Sequence, residues 1–200
     1  MSVKHRFAAC VALSLASCSI GKPIPQATTY VVSPPIPATR TTAMQRPETL
    51  LMGNVRVVAA FAGNALVYRT DDVRFTSDPY QAFIADPGAM LGSQMAAWLD
   101  RAGPFKGVAQ PGSAQPASYV LEATVTELYG DLRPGERPAA VMAVRFVLID
   151  EKGSHPKTIY EGTINRRVDL AQATPDALVR GYGTALSEIL EQLVSDLEAQ

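Results

Sequence analysis

Residues 119–168 read YVLEATVTELYGDLRPGERPAAVMAVRFVLIDEKGSHPKTIYEGTINRRV, and their patterning decides the fold. Tyr119, Leu121, Ala123 and Val125 alternate with Glu122, Thr124 and Thr126, the period of a strand with one buried face. Residues 131–138 (DLRPGERP) make a polar turn. Residues 141–149 are apolar on both faces apart from Arg145, as a strand flanked and covered on both sides requires. A second turn over residues 152–155 leads into a strand over residues 158–168. Three consecutive strands joined by short turns predict an antiparallel meander.

Beyond the meander, Thr174-Pro175-Asp176 opens a helix. Its residues Leu178, Tyr182, Leu186, Ile189, Leu193 and Leu197 recur every three or four positions, an amphipathic stripe that should pack on the sheet. Before the meander, Asp86-Pro87 opens another helix, with Asp as N-cap and Pro where its missing N–H costs nothing. Leu91, Met95, Trp98 and Ala102 form its apolar face, and Gly103-Pro104 ends it. Residues 105–109 read as a strand and residues 109–118 as a loop. Further back, residues 55–60 and 66–70 are β-rich runs around Gly63-Asn64, which predicts a hairpin. Residues 73–77 alternate as a strand. Tyr30-Val31-Val32 is a short β-like run, while residues 34–49 read as irregular because of their prolines. The resulting fold class is α+β (mixed α/β): a single domain with a largely antiparallel sheet and two amphipathic helices packed on it.

The chain has 200 residues, 47% of them hydrophobic and 18% charged, enough apolar surface for a real core. With 18 Lys and Arg against 19 Asp and Glu, the chain lacks the basic excess that a nucleic-acid partner requires. Two Cys and two His make neither a disulfide framework nor a zinc site. There is no phosphate-binding loop, no G-x-S-x-G elbow and no H-E-x-x-H. His155 falls in a turn, where a solvated side chain is the expected role. Glu122, Glu127 and Asp131 are close in sequence, but Glu122 and Glu127 should lie on opposite faces of a strand, which makes them a solvated set. No catalytic, cofactor-binding or metal site is expected.

The amino terminus carries the most specific signal. Lys4, His5 and Arg6 precede ten mostly apolar residues, FAACVALSLA, too few to span a bilayer but suited to a signal peptide. Leu15-Ala16-Ser17-Cys18 resembles the lipobox of bacterial lipoproteins, in which the Cys thiol accepts a diacylglycerol before the peptidase cuts in front of it. The expected organisation is a lipoprotein signal peptide over residues 1–17, then lipidated Cys18 and a flexible tether to residue 29, and a single domain over residues 30–200. Two or three acyl chains such as palmitate give stable anchoring where one would not. Cys10 sits inside the apolar run with Phe7 three residues before it, and leaves with the signal peptide. Ser19, rather than Asp, after the Cys points to the outer membrane under the enterobacterial sorting rule.

Val67-Tyr68-Arg69-Thr70, then Phe75, Asp78, Tyr80 and Phe83, then Pro87 and Trp98-Leu99…Gly103-Pro104-Phe105 resemble the ABC-type transport auxiliary lipoprotein family. This is the PqiC-like group that accompanies MCE-protein lipid transporters. Leu121-Glu122-Ala123, Leu128-Tyr129-Gly130-Asp131, Ala139-Ala140-Val141 and Gly181…Ala185-Leu186 continue the likeness, which covers roughly residues 30–197. The chain has Tyr80-Gln81-Ala82-Phe83 where many members carry a Trp, as a subgroup does. The resemblance implies a periplasm-facing, membrane-anchored lipoprotein partnered by an MCE-domain protein, an ABC permease and an ATPase, with copies of the chain forming a ring. It implies no enzyme activity and no cofactor of its own. Tyr68, Arg69, Tyr80 and Phe83 are candidates for a partner surface, weighed against plain core positions, with an Arg69–Asp78 ion pair as a further expectation. The alternative reading is a lipid-carrier or lipopolysaccharide-assembly lipoprotein with its own apolar cavity.

Overall fold

The computed structural model describes residues 26–37 and 46–199. The expected signal peptide, Cys18 and the expected tether as far as residue 25 lie outside the described residues. Helix α1 (Pro87–Ala102) starts as its chemistry predicts: Asp86 Oδ1 accepts from the Ala89 N–H at 2.8 Å, and Pro87 occupies the first turn. It stops at Gly103, whose N–H returns to the Leu99 carbonyl at 2.8 Å. A Cβ on Gly103 would stand 2.5 Å from that same oxygen, so the stop admits no larger residue without moving the chain. Helix α2 (Pro175–Glu198) is capped by Thr174 and buries all six residues of its predicted stripe.

Among the described residues eight strands form one mixed sheet: β1 (Thr28–Tyr30), β2 (Arg46–Val57), β3 (Ala65–Arg69), β4 (Phe75–Phe83), β5 (Phe105–Ala109), β6 (Tyr119–Asp131), β7 (Ala139–Asp150) and β8 (Lys157–Asp169). The meander β6-β7-β8 is present, in antiparallel ladders that run almost the full length of each strand. Both helices lie on one face, α1 against β2 and β5 and α2 against β7 and β8. The domain is therefore α+β, two layers deep. Trp98, Tyr182, Phe105 and Phe146 are among the largest side chains filling the space between the layers.

The other edge of β6 is shared. Its first half pairs in parallel with β2, Leu50 opposite Tyr119 through Val57 opposite Val125. Its second half pairs in parallel with β3, Tyr68 opposite Gly130 and Arg69 opposite Asp131. Strands β2 and β3 thus run end to end in the same direction, and residues 58–64 between them make a jog containing one 3-10 turn, Ala59–Phe61. The expected hairpin at Gly63-Asn64 is not formed. Gly63 lacks the left-handed φ that a two-residue hairpin turn demands; among the described glycines only Gly112 and Gly135 have it. Strand β4 then pairs antiparallel with β3, and β1 in parallel with β4.

Three boundaries also moved. The segment read as irregular over residues 34–49 already contains the start of β2, because the Arg46 N–H pairs with the Pro104 carbonyl and its guanidinium reaches the Leu197 carbonyl at 3.1 Å. The strand expected over residues 73–77 runs from Phe75 to Phe83, and Val73 is 88% exposed in the preceding turn. Pro79 hid that continuation. It is tolerated because it falls at the irregularity between the two paired stretches of β4 and β3, and because β1 covers the outer edge only from Gln81 onward. Strand β1 takes Thr28 and Thr29 from the end of the expected tether.

After β1 the chain crosses the helices as a strap. Val32 and Pro34 are buried while Val31, Ser33 and Pro35 face out. The Pro35 carbonyl accepts from Trp98 Nε1 at 3.0 Å and from Ser187 Oγ at 2.9 Å, which ties the strap to both helices. Gly183 permits the approach, since a Cβ there would stand 2.6 Å from the Ser33 carbonyl.

Candidate functional site

In β3, Leu66 points into the helix-side core and Tyr68, two residues on, packs half-buried on the same side. Burial, and then the charge and hydrogen bond of Asp78, raise the Tyr68 phenol well above its usual range. Asp78 Oδ1 also accepts from the N–H groups of Tyr80 at 2.9 Å and Gln81 at 3.1 Å. Asp78 is therefore spent on β4 and Tyr68, and the expected Arg69–Asp78 pair is not among the contacts formed. Arg69 turns instead to the Asp71 and Asp72 carbonyls, at 3.2 Å and 2.9 Å, and lies 5.9 Å from the Phe75 ring centroid. Phe75 packs edge-on against Phe61 and Tyr129, so Arg69 closes a small aromatic cluster on the face away from the helices.

Of the four residues proposed for a partner surface, Phe83 is corrected. It is 3% exposed and packs against Tyr182 with ring centroids 6.2 Å apart, because β1 and the strap cover that end of β4. Tyr68 and Arg69 are half-buried, and Tyr80, 43% exposed, offers the most surface. Cys18 lies outside the described residues.

The acidic set is also corrected. Glu122 pairs with Val147 and Glu127 with Ala143, two odd-numbered positions of the unbulged β7, so both carboxylates share the face away from the helices. The register shift between Val125 and Glu127 reverses the alternation that placed them on opposite faces. They stand four β7 residues apart, about 13 Å at strand rise, too far for paired acid–base work. Asp131 is not solvated at all: it is 1% exposed. It accepts from Arg133 Nη2 at 2.8 Å and Nε at 3.0 Å, and from Arg167 Nη1, while Arg133 Nη1 reaches Asp72 at 3.2 Å. Arg133, and then Arg167, hold the Asp131 carboxyl well below the usual carboxylate range, against the opposing effect of burial. The sequence signal for this cluster was an Asp at a strand end followed by Arg two residues on, and Arg167 was invisible to it.

His155 is exposed in its turn, with Nδ1 3.1 Å from Ser154 Oγ. Among the described residues there is no group of three or more His, Cys, Asp and Glu placed to hold a metal ion. No described helix is long and apolar enough to cross a membrane. A groove of about 330 Å³ beside the β8–α2 loop is open to solvent and lined by Asp169 and Arg180 together with Leu170 and Ala177.

Among the described residues two buried side-chain oxygens, Thr70 Oγ1 and the Tyr182 hydroxyl, are left without a hydrogen-bond partner. The Tyr182 hydroxyl is fully buried without a hydrogen-bond partner, and burial raises its pKa well above the usual value. An unpaired hydroxyl costs about 1–3 kcal/mol. Tyr182→Phe keeps the ring and is expected to raise the urea unfolding free energy by about 1 kcal/mol. A loss of similar size would show that the hydroxyl has a partner, such as a bound water.

The fold falls in a class of two-layer α+β domains already seen in crystals. A Xanthomonas campestris protein superposes with a TM-score of 0.71 at 17% identity, covering 86% of this chain and 99% of its own. A second crystal structure gives 0.61 at 17% identity, covering 87% and 97%. At that identity the likeness is one of fold. No curated protein sequence matches the chain. The family is narrower than the fold: the chain belongs to the ABC-type transport auxiliary lipoprotein component family, matched over residues 30–194.

Proposed function

We propose that the protein is a non-enzymatic auxiliary lipoprotein of an MCE-type ABC transporter. Acyl chains on Cys18 hold it in the outer membrane facing the periplasm, where it docks the transporter's MCE protein for lipid transport across the periplasm. The observation that carries this reading is the family match over residues 30–194, which spans both layers of the domain and adjoins a lipobox at residues 15–18. The permease and ATPase are other chains, in keeping with the lack of a phosphate-binding loop here. A docking role rather than a carrier role is supported by the packing. The layer between sheet and helices is occupied by Trp98, Tyr182, Phe105 and Phe146, and the Asp131 cluster is engaged within the fold. A ring of copies belongs to the same reading and rests on the family likeness alone.

Replacing Cys18 by Ser tests the anchor. The variant is expected to keep its signal peptide, gain no acyl mass and leave the membrane fraction; a variant that still fractionates with membranes sinks the anchor. Crosslinking the wild-type protein in its own envelope, followed by pull-down, is expected to recover an MCE-domain protein. Recovery of no transporter component removes the docking role. Phospholipid retained in native mass spectrometry would favour the carrier instead.

A further inference from the structure

The register at the β1 edge gathers exposed apolar side chains onto one face. Tyr30 is the partner of Phe83, and the Ile84 N–H donates to the Tyr30 carbonyl at 3.0 Å, so the ladder continues and sets Val31 beside Ile84. Phe83 faces the helices, and Gln81, two residues before it, accepts from the Tyr30 hydroxyl on that same side at 2.8 Å. Alternation then turns Ile84 away from the helices, and turns Val31 outward because Val32 is fully buried, while Tyr80, 43% exposed, lies in the irregular stretch of β4 just before Gln81. Val31 is 47% exposed and Ile84 63%, and with Tyr80 they belong to two runs, residues 26–37 and 79–85, that contain no charged side chain.

The chain outside the structure ends at the same place. Thr28 lies opposite Gln81, and Gln26, the first described residue, precedes Thr28 by two residues at this same edge of the sheet. Eight residue steps separate Cys18 from Gln26, a span of at most about 26–29 Å when fully extended. An acylated Cys18 therefore keeps this edge of the sheet within about 29 Å of the bilayer, while the β8 edge, five strands away across the sheet, has no tether of its own among the described residues. Aliphatic side chains with a tyrosine beside them, and no charge to desolvate, suit the headgroup–acyl boundary.

We propose that Val31, Tyr80 and Ile84 form the surface by which the domain lies against the lipid bilayer that holds its anchor. This inference rests on the reading of Cys18 as acylated. Acylation blocks the Cys18 thiol and Cys10 leaves with the signal peptide, so one introduced cysteine can be labelled alone. Full-length, processed Ile84→Cys is labelled with an environment-sensitive fluorophore. It is then reconstituted in phosphatidylethanolamine–phosphatidylglycerol vesicles containing nitroxide-labelled phosphatidylcholine. Thr163→Cys, exposed on β8, is the control. The label at position 84 is expected to shift to the blue and to be quenched several-fold more strongly than the label at position 163.

Equal quenching at the two positions, in protein that floats with the vesicles, overturns the inference while leaving the anchor intact. A blue shift that persists in detergent and falls on dilution overturns it in favour of a second copy of the chain on this face. Absence of acyl mass together with failure to float removes the anchor, and the bilayer assignment with it. Ile84 is largely solvent-exposed, so matching circular dichroism spectra will show that the labelled variant is folded.

Discussion

Asp131→Asn is expected to lower the urea unfolding free energy by about 3–5 kcal/mol, the usual cost of breaking a buried ion pair from one side. The carboxylate is 1% exposed and ties three parts of the chain together. Arg133 reaches it from the β6–β7 turn and Arg167 from β8, and Arg133 carries the link on to Asp72 in the turn after β3. The Leu132 N–H on the Arg69 carbonyl, at 2.9 Å, joins the same two turns. An amide accepts less strongly than a carboxylate; it leaves Arg167 without its counter-charge and Arg133 with only the exposed Asp72. The Asp72 end of the network is solvated, so Asp72→Asn should cost under about 1 kcal/mol. The pH dependence follows from the sign of the shift. The folded carboxyl is held below its unfolded value of about 3.9, so its contribution is present above that pH and is lost as pH falls through the lower folded value. The wild-type urea midpoint should therefore fall on acidification below about pH 4, and Asp131→Asn should flatten that fall. A variant within 1 kcal/mol of wild type, or one with an unchanged acid slope, would remove the cluster from the stability of the fold.

Trp98→Ala is expected to cost a similar amount, about 3–5 kcal/mol, for a different reason. Its ring is fully buried between the layers, and its Nε1 donates to the Pro35 carbonyl. Truncation empties the volume of an indole and cuts one of the two hydrogen bonds that hold the strap. Trp98→Phe separates these effects: it fills most of the volume but leaves Pro35 with Ser187 alone, and should cost about 1–2 kcal/mol. Limited proteolysis gives the second readout. In Trp98→Ala the strap over residues 31–37 should be cut faster than in wild type at a denaturant concentration where both are folded. Equal cleavage rates would show that the strap is held by packing of Val32 and Pro34 rather than by the indole.

Much of the fold was legible in the sequence because local chemistry carries it. Asp86 and Thr174 accept from N–H groups three residues away, and the stripes of α1 and α2 repeat with the helical period. The meander was readable because each of its ladders joins strands linked by a short turn. For the candidate site less was readable. Phe83 was left between a partner surface and the core, since its burial depends on β1 and on Tyr182, about a hundred residues later in the chain.

The amino-acid sequence by itself determined the two capped amphipathic helices, the three-stranded meander and the family likeness. Each of these is a property of residues close together in the chain, or of their order along it. The tertiary structure decided how β2 and β3 divide one edge of β6, because parallel partners such as Leu50 and Tyr119 are distant in the chain and joined by no turn chemistry. It also decided that Asp131 is buried rather than solvated, since the Arg167 that compensates its charge arrives only when β7 brings β8 alongside. The chain itself does not mark a polar residue as buried; that depends on the partners the fold supplies.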